Sequence, residues 1–292
     1  MPSGERLWRR TTRPLSHARR LCRAYLPLVH LSETRFVLLS ARLSAHWEEK
    51  SHTVLTHPSP PLLYDYYGFP PEAYQLSWPA PGATAVAERV QHLLRNAGLP
   101  CAADARRGYD HGVFVPMLVA FPEASIPVTQ VSLLTSLDPA AHLALGKALA
   151  PLRDENVLIL GSGFSFHNLG SMRDTLLSGV NRGGAADKVR TASKAFDAWL
   201  VETLCGQLDP AQREQRILAW AKAPRGACVC ADVIVSHRAD SLRHNTAREC
   251  HPREEHLMPL FIAAAAAGFA PAEHTWGDTV NGTIQTSAFE WL

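Results

Sequence analysis

Nothing in these 292 residues reads as a membrane span, because no apolar run approaches the ~20 residues that a bilayer-crossing helix requires. Charge of one sign is also scarce. Lys and Arg number 29 against 27 Asp and Glu, a net charge of +2, so no global field draws the chain toward nucleic acid. Cysteine is sparse: Cys22, Cys101, Cys205, Cys228, Cys230 and Cys250 are scattered through a chain too long to need a disulfide framework. Reduced thiols in a cytoplasmic protein are the simpler account. Several catalytic signatures are missing as well. There is no GxxxxGK[ST] phosphate loop and no GxSxG nucleophile elbow. GSGFSF, from Gly161, starts like a dinucleotide-binding turn but lacks the third glycine.

What is plentiful is histidine, with 14 residues, on an ordinary globular background of 46% hydrophobic and 19% charged residues. The N-terminal stretch MPSGERLWRRTTRPLSHARRLCRAY carries seven arginines against one acidic residue and no apolar core. It reads as a basic extension or as an organelle-import segment rather than a secretory signal. From about residue 35 the text alternates strand-like and helix-like runs. RFVLLSARLSAH, IPVTQVSLL and NVLIL read as strands. TAVAERVQHLLRNAGL reads as a helix closed by Gly98, and AAHLALGKALAPLRDE, KAFDAWLVETLCGQL and PAQREQRILAWAKA as further helices. The alternation predicts a single α/β domain over 35–292, preceded by a basic segment over 1–34. The loop HPSPPLLYDYYGFPPEAYQLSWPAPGA is too aromatic for a solvated linker and offers a wall for a flat aromatic ligand. Packing of those rings on a sheet edge is the alternative.

Near the C-terminal end, HPREEHLMPLF places two histidines around two glutamates. The zinc helix HExxH sets its imidazoles one turn apart, whereas His251 and His256 are five residues apart, so that template fails. Local chemistry predicts a helix starting at Pro252, with Glu254 and Glu255 in its first turn, bent at Pro259 and ended by Gly268. His251 is then a helix-start residue. His46, His111 and His167 stand where strands give way to loops, and His256 opens the helix. Open α/β sheets place ligand sites at such ends, and imidazole serves both as metal ligand and as near-neutral acid or base.

SAHWEE, YDYYGFPPEAYQLSWPAPGA, RGYDHGVFVPML, ILGSGFSFHNL and HPREEHLMPLF occur in this order. Together they resemble the DOPA dioxygenase type of the class III extradiol ring-cleavage dioxygenases, related to the catalytic subunit of protocatechuate dioxygenase. The resemblance covers roughly residues 36 to 228 and 251 to 291. It implies a central mixed sheet flanked by helices, with a non-haem Fe(II) at one end of the sheet, replaced by Zn(II) in some isolated proteins. It also implies cleavage of a catechol ring with O₂ by a monomer or homodimer, with no nucleic acid or membrane as partner. His46 and His256 fall on metal ligands, His167 on the acid/base residue, and His111 on a pocket residue, with Tyr67 as a further candidate substrate contact.

Two features depart from that pattern. The family's first ligand lies in a histidine-glycine turn that this chain lacks; His17, in PLSHARRL, is the candidate third ligand, and His30 the other. The stretch 229–250 reads as an inserted surface loop. These departures motivate a second expectation, a family member that binds a ligand or partner without catalysis. Glu48, Asp110 and Glu255 are the candidate carboxylates for orienting the imidazoles.

Overall fold

Short runs rich in β-branched and leucine residues form the strands of the protein, described here from a computed structural model over residues 39–177, 184–223, 246–280 and 282–292. His17 and His30 lie outside the described residues, as does 224–245. The chain divides into two compact units, Met1–Ser136 with Pro151–Ser162 and Leu137–Ala150 with Gly163–Leu292.

The first unit holds a five-stranded sheet of order β3-β2-β4-β1-β5, built from β1 (Leu39–Glu49), β2 (His52–Leu55), β3 (Cys101–Asp104), β4 (Val128–Leu134) and β5 (Val157–Ser162). β1 runs parallel to both β4 and β5, and β2 runs parallel to β3, while β2 meets β4 antiparallel. The sheet is therefore mixed, as expected. Helix α1 (Thr84–Asn96) buries Val86, Val90, Leu93 and Leu94 at helical spacing and ends before Gly98, whose φ of +71° only glycine adopts readily. Helix α2 (His111–Ala120) contributes Val113, Phe114 and Met117 to a core with Trp47, Leu55, Trp78, Tyr109 and Val128.

One irregularity matters for the site. Leu43 pairs with Val131 and Glu48 with Leu133, so the intervening stretch of β1 is longer than the stretch of β4 opposite it. Surplus residues in a strand bulge out of the ladder and re-aim their side chains. His46 lies in that stretch.

In the second unit, α3 (Pro139–Leu149) is capped by Asp138, whose carboxylate accepts from the amides of Ala140 and Ala141. It packs on α8 (Met258–Ala266), and Gly146 permits the approach, since a Cβ there would meet the Ile262 carbonyl. Helices α4 (Leu169–Leu177), α5 (Gly184–Cys205), α6 (Pro210–Leu218) and α7 (Thr246–Cys250) complete the helical part. A hairpin, β6 (Glu273–Val280) and β7 (Ile284–Glu290), closes the chain. That hairpin and the short strands β2 and β3 escape the sequence reading, because their runs are too short or too polar to show a period.

Three expectations are corrected here. The last helix starts at Met258 rather than Pro252, and residues 252–257 are bends and turns. Pro259 falls in the first turn, where its missing N–H costs nothing, so it starts the helix instead of bending it. Gly268, with φ +62°, does end it. The final residues of the stretch read as a surface loop, Thr246–Cys250, are helical and bury Thr246, Ala247 and Cys250.

Candidate metal and catalytic centre

In the first unit the bulge of β1 brings His46 to His111, with ring centroids 3.9 Å apart and planes tilted by 43°. Two carboxylates organise this pair. Asp110 is fully buried and accepts from Ser44 Oγ at 2.7 Å, from Arg107 Nη2 at 3.1 Å and from the Gln130 amide. Ser44 Oγ in turn accepts from the His46 amide at 3.2 Å, and Arg107 Nη2 also donates to the His46 carbonyl at 3.3 Å. Through Ser44 and Arg107, Asp110 thereby holds the amide and the carbonyl of His46. Gly112 has to be a glycine here, because a Cβ would lie 2.9 Å from His46 Cδ2 and 3.2 Å from Asp110 Oδ1.

Asp65, from the aromatic loop, holds His111. Its Oδ1 accepts from the His111 amide at 2.9 Å and pairs with Nδ1 at 2.8 Å. One oxygen thus caps α2 and selects the Nδ1–H form of the ring. Burial raises the Asp65 carboxyl, and the hydrogen bonds from His111 more than offset it, so it lies below its ordinary value. Asp65 was not among the carboxylates singled out from the sequence, and the DYY string gives no spacing that would single it out. Tyr66 turns its edge toward His111 with centroids 5.7 Å apart, while Tyr67, the candidate substrate contact, is 93% exposed. Tyr64 and Tyr66 pack against the core, so part of this loop is sheet-edge packing.

In the second unit, residues 163–168 are stitched to the segment before α8. The Phe164 amide donates to the His256 carbonyl at 3.0 Å, the His167 amide to the Cys250 carbonyl at 2.9 Å, and Asn168 Nδ2 to the Glu249 carbonyl at 2.8 Å. These bonds bring the GSGFSFHNL and HPREEHLMPLF motifs together. His167 and His256 stack with centroids 3.3 Å apart and planes 18° from parallel. Glu255 joins them: its Oε1 lies 2.9 Å from His167 Nδ1 and 3.1 Å from His256 Nδ1. Glu255 is thus not a first-turn helix residue but the partner of two imidazoles. Glu254 instead pairs with Arg248 at 2.5 Å. Burial raises the Glu255 carboxyl, and the two imidazole hydrogen bonds overcome this and hold it well below the usual carboxylate range. Glu48 is not part of either cluster of possible ligands, which are His46, Asp65, His111 and His167, Glu255, His256.

His251 differs from its expected helix-start role. Its amide closes the end of α7 on the Ala247 carbonyl, its side chain is fully buried, and Nε2 donates to the Ser165 carbonyl at 3.0 Å. Nδ1 has no hydrogen-bond partner, and the ring sits 5.3 Å from Phe196. Burial, helped by the neighbouring imidazoles, pushes its pKa down to about 4 from 6.5. The unfolded chain therefore binds a proton here that the native state refuses. His251 costs stability as pH falls from 6.5 to about 4, by about 3 kcal/mol at the lower end. Glu255, whose carboxyl is depressed, contributes stability that is lost only below its unfolded value of about 4.5. Denaturant midpoints measured between pH 7 and 4 should fall for the wild type and fall less for His251→Gln. Parallel pH curves would contradict this account.

Imidazoles held through Nδ1 by ionised carboxylates present Nε2 as the unprotonated nitrogen, and neutral imidazoles with carboxylates are the donors that iron and zinc accept. Glu255 Oε2 is buried without a hydrogen bond, its ion pair with Arg253 Nη1 being a long 3.5 Å, so an unused acceptor remains beside the ring pair. The residues present therefore fit a divalent metal. Each unit thus carries one histidine–carboxylate group that could hold a metal ion. Residues 42–288 match the catalytic LigB subunit of aromatic ring-opening dioxygenase, and the chain belongs to that family.

Among characterised relatives, it is 37% identical to Dioxygenase tasH of Hapsidospora irregularis over 77% of this chain and 63% of that protein. It is 35% identical to the 4,5-DOPA dioxygenase extradiol of Beta vulgaris, over 77% and 72% of the two chains. The enzyme of that description from Portulaca grandiflora is 32% identical over 85% and 80%. The chain thus spans under two thirds of the first of these relatives. The fold matches an uncharacterized Escherichia coli K12 protein with a TM-score of 0.64 at 22% identity, covering 94% of this chain and 90% of the other. No helix among the described residues is long and apolar enough to cross a membrane.

Proposed function

We propose that the protein is an Fe(II)-dependent extradiol dioxygenase that opens the ring of DOPA or a related catechol with O₂. The observation that carries this reading is the stacked His167–His256 pair held by one carboxylate, in a chain of the ring-opening family. The relatives named as 4,5-DOPA dioxygenases support the substrate class. In this reading His46 and His256 hold the metal, and His17 is the candidate third ligand. His111 contacts the ring substituents. Fe(II), when bound, supplies the redox chemistry with O₂ and favours the ionised catechol.

The chain's own residues do the rest. His167, with Nδ1 committed to Glu255, presents Nε2 as the base that takes a hydroxyl proton and later returns it. His111, fixed as its Nδ1–H form by Asp65, presents Nε2 as a hydrogen-bond acceptor for a substrate hydroxyl or ammonium group. The non-catalytic alternative gains no support, because every described histidine assigned a role sits in an organised pair with a carboxylate nearby.

Anaerobic loading with Fe(II), followed by DOPA or simpler catechols in air, should give a yellow semialdehyde product with one O₂ consumed per ring opened. Metal-loaded protein that neither consumes O₂ nor forms product across a broad catechol panel would overturn the proposal.

A further inference from the structure

We infer that Glu255 is a shared positioning residue that sets the tautomers of His167 and His256 together, so that the metal ligand and the acid/base residue are prepared by one carboxylate. The inference rests on the assignment of those two histidines given above. Three observations carry it. First, a single oxygen, Oε1, reaches both Nδ1 atoms, at 2.9 and 3.1 Å. A carboxylate only accepts, so each of these hydrogen bonds requires the proton to sit on Nδ1 and leaves Nε2 unprotonated in the neutral ring. Second, the rings stack face to face at 3.3 Å with planes 18° apart, so the common anchor holds both Nδ1 edges on the same side. Third, Glu255 is largely buried, with a relative exposure of 9%, and its Oε2 makes no hydrogen bond, Arg253 Nη1 lying 3.5 Å away, so the imidazoles are its hydrogen-bond partners.

The ligand atoms of Glu255, His167 and His256 lie within 4.8 Å of one another, so direct ligation by Glu255 is the competing arrangement, and the test below separates the two. Outer partners of a ligating histidine fix its orientation and raise its basicity, and their loss typically lowers metal affinity about 10–100-fold. Here the same loss also reaches the acid/base residue.

Glu255→Gln is an informative variant. Its amide keeps the shape of the carboxylate but has one acceptor and one donor end. Turning the NH₂ toward Arg253, 3.5 Å from the Oε2 position, sets donor against cation, so the amide orients with NH₂ toward the imidazoles. A ring facing that donor has to move its proton from Nδ1 to Nε2. Glu255→Asp, one methylene shorter, reaches one ring rather than both.

The test uses the full chain, metal-free and then titrated with Co(II) or Zn(II). Long-range ¹H–¹⁵N spectra of histidine-labelled, metal-free wild type should show His167 and His256 as Nδ1–H tautomers, assigned through His167→Gln and His256→Gln. In Glu255→Gln at least one of the two should shift to Nε2–H, and Co(II) affinity should fall 10–100-fold with an altered visible spectrum. Glu255→Asp should retain one of the two tautomers and an intermediate affinity. Unchanged tautomers in both variants, or complete loss of metal binding with tautomers unchanged, would overturn the inference, the latter by pointing to direct ligation. None of these readouts depends on catechol cleavage, so a protein that fails to open catechols can still pass or fail this test.

Discussion

Exchange of His167 for Gln is expected to lower the rate of ring opening by about 10²–10⁴-fold, the usual contribution of a positioned acid/base group. Gln preserves much of the side-chain volume but cannot take up and return a proton. His256 and Glu255 remain in place, so metal content should stay within a few-fold of the wild type. The distinction matters because the two imidazoles stack at 3.3 Å and share a carboxylate, so a purely structural role for His167 would appear as metal loss or instability. Single-turnover rates with Fe(II)-loaded variant, alongside metal analysis, check the prediction. A rate within tenfold of the wild type would remove His167 from the proton path.

Loss of the Asp110 carboxylate should strongly destabilise the first unit. Asp110→Ala removes the shared acceptor of Ser44, Arg107 and Gln130 at a position with no solvent exposure. Removing one partner of a buried ion pair costs about 3–5 kcal/mol, because the other charge stays behind uncompensated. The Arg107 side chain retains 18% exposure and recovers some hydration, which puts the expected loss near the lower end, about 3 kcal/mol. Urea denaturation with an unchanged slope and a lowered midpoint would report it. Asp110→Asn, which keeps an acceptor but not the charge, should fall between the two. A midpoint unchanged in Asp110→Ala would mean that the network carries no net stability. Because Ser44 and Arg107 bond the backbone of His46, the same variant should also loosen the ring pair of His46 and His111.

Much of the framework was legible in the primary structure because it depends on local periodicity. The helix over Thr84–Asn96 and its stop before Gly98 follow from apolar spacing and from a glycine free to take positive φ. The strands from Val128 and Val157 follow from β-branched and leucine runs. The order of five motifs marked the ring-opening family, which the match over residues 42–288 bears out. A single histidine at a strand or helix end is more often structural, and it was the recurrence of four such positions, His46, His111, His167 and His256, that read as chemistry.

Other features were not legible, because they depend on which distant groups meet. A proline eight residues into a supposed helix reads as a bend, and only the packed structure shows that the helix begins beside it. His251 looks from its neighbours like a helix-start residue, yet burial against Phe196 and the Ser165 carbonyl makes it a neutral core histidine. Three carboxylates stood within sequence reach of the imidazoles. Hydrogen-bond geometry assigned Glu255 to His167 and His256, put Asp110 behind the backbone of His46, and introduced Asp65 for His111. Sequence by itself determined the class of this protein, since periodicity and ordered motifs are local properties of the chain. Tertiary structure alone decided the partners, because a hydrogen bond across 88 residues, such as His167 to Glu255, leaves no periodic trace in either segment that makes it.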